Sequence, residues 1–140
     1  MLAKALLKGN GKLESLLFKI PLIGEPLIRN RNRAAGNLAF KLPLLGGKRG
    51  RTIQEVRDGW KKFLKRAGIT IRVTSEDLDS FKWEMDACPY GFCRPEDRGV
   101  CDAAMDLDRT YTRLLGGELK INETIPDGFS KCSYTTRLAR

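Results

Sequence analysis

Two kinds of hydrophobic period alternate along the chain after its first fifty residues. Over residues 53–67 the apolar side chains recur at helical spacing, as on a helix with one buried face. Thr52 and Glu55 have the capping-box form, in which the threonine hydroxyl accepts an amide of the first turn and the glutamate bonds back to the cap. Gly68 is a typical residue at the end of a helix. The pattern therefore predicts a helix that begins after Thr52 and ends at Gly68.

The following periods predict a hairpin, a second helix and a second hairpin. Residues 69–73 and 78–85 alternate between apolar and polar side chains, which is typical of two strands. Residues 95–115 begin with a proline and two acids, and their apolar side chains keep to one helical face. Residues 118–124 and 129–138 flank a Pro-Asp-Gly turn, so we expect two further strands there. The order predicts an α+β fold of helix, hairpin, helix and hairpin, with one antiparallel sheet and the helices on one face.

The first fifty residues follow a different pattern. Leucine and isoleucine occur in short clusters separated by Pro21, Pro26, Pro43 and several glycines, and this spacing predicts no long helix. We therefore expect residues 1–50 to form an extended, basic N-terminal arm. Residues 51–140 would form the cysteine-containing α+β domain.

The charge of the chain is uneven. Residues 1–72 contain 17 basic and 4 acidic side chains, whereas residues 73–140 contain 9 basic and 13 acidic ones, within a total net charge of +9. We expect the arm to order against a protein partner, with a peripheral contact with an anionic membrane surface as the alternative. Nucleic acid is the weaker expectation, because only Phe18 and Phe40 offer stacking rings in the arm and no helix-turn-helix pattern occurs.

The composition limits the chemistry that the chain can perform. It contains four cysteines and no histidine, which excludes Ser-His-Asp triads, Cys-His pairs and any zinc site with imidazole ligands. No apolar run approaches the roughly 18 residues of a membrane span. We therefore expect a cytoplasmic protein, and in that compartment cysteines serve more often as ligands or redox groups than in structural disulfides.

The four cysteines are the candidate site. Cys88 follows the second predicted strand and Cys93 lies in the loop after it. Cys101 falls in the first turns of the second helix, and Cys132 lies on the last hairpin. A strand end, a loop, a helix start and a hairpin can converge in one place, so we expect four thiolates around one inorganic centre.

Charge favours thiolates at this site, and the spacing of the cysteines decides which inorganic centre we expect. Arg94, Arg98 and the helix N-terminus should lower the pKa of Cys101 and favour its thiolate. Structural zinc typically uses two tight cysteine pairs, whereas the second pair here is split by thirty residues. An iron–sulfur cluster, [4Fe–4S] or [2Fe–2S], accepts scattered ligands and is the first expectation, with zinc as the alternative. Buried free thiols or a Cys88–Cys93 disulfide remain open.

Short motifs around the cysteines carry a family resemblance. They are Cys88-Pro-Tyr, Val100-Cys101-Asp102, the helix end Leu115-Gly116-Gly117, and Asp127-Gly128-Phe-Ser-Lys-Cys132-Ser-Tyr134. Residues 52–138 resemble the L-2-amino-thiazoline-4-carboxylic acid hydrolase-like family and the related 4-vinyl reductase-type small-molecule-binding domains. They are also similar to the sensor half of the iron–sulfur-assembly repressors, in which cysteines in a comparable pattern hold a cluster. The matching positions are Cys88, Cys101 and Cys132, and Cys93 would be a fourth thiol.

Two functions follow as expectations. The first is an iron–sulfur protein for electron transfer or redox sensing, a small subunit of a larger complex, with all four cysteines as ligands. The alternative, which the resemblance implies, is a small-molecule hydrolase or ligand-binding domain. In a hydrolase Cys101 would be the nucleophile and Asp102 and Asp106 the acid or base, although charge at a helix start explains these acids more simply. In a ligand-binding domain the pocket would be lined by Phe81, Trp83, Tyr90 and Tyr111.

Overall fold

The computed structural model describes residues 2–45 and 47–139, and in them helices lie against one face of an antiparallel sheet. The elements in chain order are α1 (Leu2–Phe18), α2 (Gly24–Lys41), α3 (Ile53–Arg66), β1 (Arg72–Glu76), β2 (Ser80–Met85), α4 (Arg98–Ala104), α5 (Asp106–Leu115), β3 (Gly117–Glu123) and β4 (Cys132–Leu138). The α+β class and the order of helix, hairpin, helix and hairpin after residue 52 are confirmed.

The two hairpins are joined through their second strands. The sheet has the order β1-β2-β4-β3, and every neighbouring pair is antiparallel. In the central pair Trp83 lies opposite Tyr134, and their rings stack with centroids 4.2 Å apart. Phe81, Trp83 and Met85 are buried while Lys82 between them is exposed, so one face of β2 carries the core. The expected single sheet is therefore confirmed.

Helix α3 begins at the predicted cap and packs on the buried face of the sheet. The Glu55 amide donates to the Thr52 hydroxyl at 3.3 Å, and the Glu55 carboxylate accepts the Thr52 amide. Val56 and Trp60, one turn apart, are buried on the same side of the helix. The Trp60 ring lies 5.6 Å from the Trp83 ring, which fixes α3 over β2.

The second predicted helix is interrupted at Met105. The backbone of Met105 has ψ near −7°, so α4 ends at Ala104 and α5 begins at Asp106. Gly116 has φ +95°, a left-handed conformation that glycine adopts without strain, and it ends α5 as the pattern predicted. Both short helices bury one face, but in different parts of the core.

The first fifty residues are helical, and the expected extended arm is wrong. Pro21 lies between α1 and α2, and Pro26 falls in the first turn of α2, where a missing amide removes no helical hydrogen bond. Gly36 lies so close to α5 that a side chain there would stand 2.8 Å from the Leu107 carbonyl oxygen. The prolines and glycines thus mark a turn and a close helix contact rather than an irregular segment.

Helix α2 packs against α4 and α5 and closes a second apolar cluster. Ile28 is fully buried there beside Phe92, Val100 and Ala103. This burial provides the apolar surface that the segment could not supply by itself, and it explains why α2 is stable despite the polar residues around it. The predicted contact of this segment with a partner protein stays a prediction.

Candidate functional site

An apolar pocket of about 90 Å³ lies between α3, the buried face of the sheet and the α4–α5 bend. Its walls combine side chains from elements that are far apart in sequence. Those that define its apolar lining include Leu7, Leu64, Trp83, Met85, Ala104, Met105 and Leu107. The pocket exists because the bend at Met105 turns α4 and α5 around the end of the sheet.

Three of the four cysteines line this pocket. They are Cys88, Cys101 and Cys132. Cys101 and Cys132 are buried, and the Ile125 amide lies 3.4 Å from the Cys132 sulfur as a donor. All four cysteines are free thiols, so the alternative of a Cys88–Cys93 disulfide does not describe this structure.

The iron–sulfur function is wrong, and with it the roles in electron transfer and redox sensing. Across residues 2–45 and 47–139, no group of three or more cysteine, aspartate or glutamate side chains is placed to hold a metal ion. Cys93 is exposed, whereas its neighbour Phe92 is buried, and Cys93 does not line the pocket that contains the other three cysteines. Zinc, the other cofactor predicted for Cys88, Cys93, Cys101 and Cys132, stays a prediction.

Burial, rather than the charge of the helix N-terminus or of the arginines, controls the pKa of the Cys101 thiol in α4. The pKa of Cys101 is raised to about 12, mainly by desolvation, with smaller contributions from the neighbouring Cys88 and Cys132. The expected lowering by Arg94 and Arg98 is wrong, because both guanidinium groups form ion pairs at the surface. Burial also raises the pKa of Cys88, although backbone amides of the loop after it favour its thiolate.

A carboxyl group that the sequence analysis missed also faces the pocket. Asp108 of α5 lines it, and within the described part of the chain no side-chain hydrogen bond or ion pair reaches its carboxyl group. Burial raises the pKa of Asp108 to about 7, opposed only by the charge of Arg109. A signal was present in the sequence, since Asp108 shares a helical face with Ala104, Met105 and Tyr111.

Two tyrosines lie near that carboxyl group. Burial raises the pKa of Tyr90 and of Tyr134, and the charge of Asp108 contributes to both shifts. Trp83 and Tyr90 line the pocket as the ligand-binding alternative expected. Phe81 and Tyr111 instead belong to the core, where the Tyr111 hydroxyl donates to the Leu45 carbonyl at 2.9 Å.

Asp102 and Asp106, the candidate acid and base, lie outside this pocket in an ion-pair network. Arg29 binds Asp102 at 2.7 Å, and Arg33 binds Asp106 at 2.8 Å. Arg109 pairs with both acids. Partial burial raises the pKa of Asp102, but hydrogen bonds from Arg29 and Arg109 bring it below its usual value. These acids connect α2 with α4 and α5.

Comparison with known proteins yields a likeness of fold. No family model matches the sequence, and no curated protein matches it. The chain is similar to a solved structure of trafficking protein particle complex subunit 3 from Naegleria fowleri, covalently bound to palmitic acid, with a TM-score of 0.61 and 15% identity. The match covers 99% of this chain and 95% of that chain. At an identity of 15%, the comparison establishes that the two chains share a fold.

Among the helices of residues 2–45 and 47–139, none combines the length and the apolar character of a membrane span.

Proposed function

We propose that this protein is a ligand-binding subunit of a protein complex, in which the apolar pocket holds a small, mainly apolar group. The observation that carries the proposal is the pocket itself, an interior space walled by Trp83, Met85 and Leu64 with few polar groups. Ligand sites in proteins have this composition, an apolar lining with a small number of polar contacts. The similar fold in Naegleria fowleri supports it, since that protein is a complex subunit that holds a hydrocarbon chain.

The size of the pocket favours a small occupant. An engineered cavity of about 150 Å³ binds benzene, and drug-sized ligands occupy about 300–1,000 Å³. The volume here is about 90 Å³, which suits a chain of a few carbons better than a palmitoyl group. Met85 and Met105 belong to the wall, and methionine side chains change shape readily, so slightly larger groups can be accepted by side-chain movement.

Cys88 marks the opening of the pocket. Together with Pro89 it lines both the interior pocket and an open groove of about 360 Å³ beside β1. Of the three pocket cysteines it is the only one that is not fully buried. A ligand that enters from the groove therefore passes between the residues that the two spaces share, Ile69, Cys88 and Pro89.

Binding of xenon and n-pentane tests the pocket. Both are apolar and small, and Trp83 in the wall reports occupancy through its fluorescence. Ala104→Leu adds a side chain to the wall, so we expect it to abolish pentane binding. Ala34→Leu makes the same substitution at an exposed position of α2 and should leave binding unchanged. Circular dichroism verifies that both variants are folded. Failure of the wild-type protein to bind either probe would contradict the proposal.

The proposed contact with a partner protein uses α1 and the turn after it. Large apolar side chains there are exposed, among them Leu16 at 66% and Leu22 at 99%. Leu22 has φ +66°, a conformation that is costly for a branched side chain and that holds it in solvent. Clustered exposed apolar residues are typical of surfaces that another protein covers. The segment predicted as a partner-binding arm thus keeps that proposed role as a pair of helices.

Introducing negative charge into this apolar surface tests the contact. Leu16→Glu combined with Leu22→Glu should release a co-purified partner, because a buried interface does not accept unpaired charge. Leu78→Glu is a matched control, since Leu78 is 95% exposed in the β1–β2 turn, away from α1. Loss of the partner with the control as well, or retention with the double variant, would contradict this part of the proposal. The membrane contact, the cytoplasmic location and the resemblance to the hydrolase-like family stay predictions.

A further inference from the structure

We propose that the pocket selects ligands that carry a protonated amine beside their apolar body, and that the carboxyl group of Asp108 binds this amine. The inference rests on the proposed function, because it names the chemistry of the ligand that the same pocket takes. It arises from a difference between Asp108 and the other enclosed acids of the described chain.

The buried acids elsewhere in the described residues all have partners. Glu14 accepts from Asn10 and Asn32. Asp97 accepts the amides of Cys93 and Arg94 at 3.1 Å each. Asp106 binds three arginines, Arg29, Arg33 and Arg109. Each of these acids therefore has at least one donor, although the second oxygen of the Glu14 carboxyl group is buried without a partner. A buried carboxylate with no donor at either oxygen is costly.

Asp108 differs because the donors around it are committed elsewhere. The hydroxyl of Thr112 donates to the main-chain carbonyl of Asp108 at 2.7 Å and accepts from Trp60. The guanidinium of Arg109 is bound by Asp102 and Asp106 on the other side of α5. Among the described residues, then, the carboxyl group of Asp108 faces the pocket without a donor. A ligand amine would supply the missing counter-charge.

Apart from Asp108, the pocket lining offers few groups that bind the polar end of a ligand. The thiols of Cys88, Cys101 and Cys132 are weak hydrogen-bonding groups, and the remaining wall is mainly apolar. Tyr90 and Tyr134 also line the pocket, and their hydroxyl groups are strong hydrogen-bonding groups for a ligand oxygen or nitrogen. A ligand carboxylate would meet the charge of Asp108 at short range and be repelled. We therefore expect the order amine, alcohol, hydrocarbon and carboxylate in decreasing affinity.

Four probes with short chains test this order at pH 8. They are n-butylamine, n-butanol, n-pentane and butyrate, which differ in the polar group at the chain end. A hydrogen bond to a charged group contributes about 1.5–3 kcal/mol, so butylamine should bind about ten- to a hundredfold more tightly than pentane. Asp108→Asn should remove this preference, so that butylamine no longer binds more tightly than pentane. Asp102→Asn, an exposed acid outside the pocket, should retain the preference.

The outcomes separate this inference from the function on which it rests. Pentane binding without a preference for butylamine would overturn the inference and leave the proposed function standing. Absence of binding by every probe would overturn both. Carbon-13 NMR of labelled aspartate supplies a readout that needs no variant. The chemical shift of the Asp108 carboxyl carbon should change when butylamine is added and should not change with pentane. An unchanged chemical shift with butylamine would contradict the inference.

Discussion

Asn32 of α2 donates a 3.0 Å hydrogen bond to the carboxylate of Glu14 in α1, and both side chains are buried. The same amide also donates to the Ile28 carbonyl at 3.0 Å. Because a buried carboxyl group needs donors, this hydrogen bond helps to fix how α1 lies on α2, and the second oxygen of Glu14 has no partner. It shows why the N-terminal segment is an ordered part of the structure.

Replacement of Asn32 should destabilise the protein. Asn32→Ala leaves the Glu14 carboxylate with fewer donors, and we expect the free energy of unfolding to fall by about 2–3 kcal/mol. Urea unfolding followed by circular dichroism measures this change. Asn37→Ala is the control, because Asn37 makes the same bond to a carbonyl four residues earlier but is exposed. Equal effects of the two substitutions would show that the Glu14 contact contributes nothing.

Asp106→Asn should weaken the packing of α2 on α5 without affecting ligand binding. The Asp106 side chain is only 7% exposed and accepts from three arginines, so loss of its charge should cost about 1–3 kcal/mol. Glu25→Gln is the control, since Glu25 pairs with Arg29 at the solvent-exposed surface, where an ion pair contributes about 0–1 kcal/mol. Thermal unfolding and butylamine titration distinguish the outcomes. An Asp106→Asn variant that is as stable as wild type but no longer binds butylamine would show that Asp106 belongs to the binding site.

The four thiols should react in a fixed order with Ellman's reagent at pH 8. Cys93 is exposed and should react first, followed by the half-buried Cys88. Cys101 is buried with a pKa of about 12, so only about one molecule in ten thousand carries its thiolate at pH 8. Cys101 and Cys132 should therefore react only on unfolding. Cys93→Ser should remove the fast phase alone, and a fast phase that persists would contradict the described loop.

Asp108 should make the protein less stable as the pH rises. Its pKa is raised from 3.8 to about 7, so the folded state binds this proton more tightly than the unfolded state. The stabilising contribution is fully present below about pH 4 and is lost as the pH rises through 7, by up to about 4 kcal/mol. Asp108→Asn removes this loss, and its advantage over wild type in urea unfolding should grow between pH 4 and pH 8.

Asp102 provides the opposite slope as a control. Its net pKa is lowered by Arg29 and Arg109, so its contribution is present above its ordinary pKa and is lost as the pH falls. Asp102→Asn should therefore change stability near neutral pH and become indistinguishable from wild type in acid. If Asp108→Asn and Asp102→Asn showed the same dependence on pH, the burial of Asp108 in the pocket would be contradicted.

Local signals were sufficient for the type and order of the elements after Thr52, although β1 begins three residues later than predicted and the second helix is divided at Met105. The capping box at Thr52, the alternation through Trp83 and the glycine at 116 act within a few residues, and each structure formed where they predicted it. The N-terminal helices could not be predicted in this way. Pro26 and Gly36 are ordinary helix breakers in isolation, and only the position of Pro26 in a first turn and the close contact at Gly36 make them compatible with α2.

The candidate site was predicted in part. Three of the cysteines do meet, but the sequence carried no sign that Cys93 turns outward, because this depends on Phe92 being buried under α2. The interpretation of the thiols as cluster ligands depended on their spacing, and charge from Arg94 and Arg98 supported only the thiolate form, which desolvation disfavours at Cys101. Asp108 was overlooked because the predicted helix over residues 95–115 places it in mid-helix, where a charged residue usually lies on the solvent face.

By itself, the sequence determined the α+β class, both ends of α3, the C-terminal end of α5 and the faces of β2 that are buried or exposed, since these depend on contacts between near neighbours in the chain. Only the tertiary structure decided that the first fifty residues are helices, that the thiols line an apolar pocket and that Asp108 faces it without a partner. The physical reason is that burial and desolvation arise from residues far apart in sequence, and they set both the stability of a marginal helix and the charge of an enclosed group.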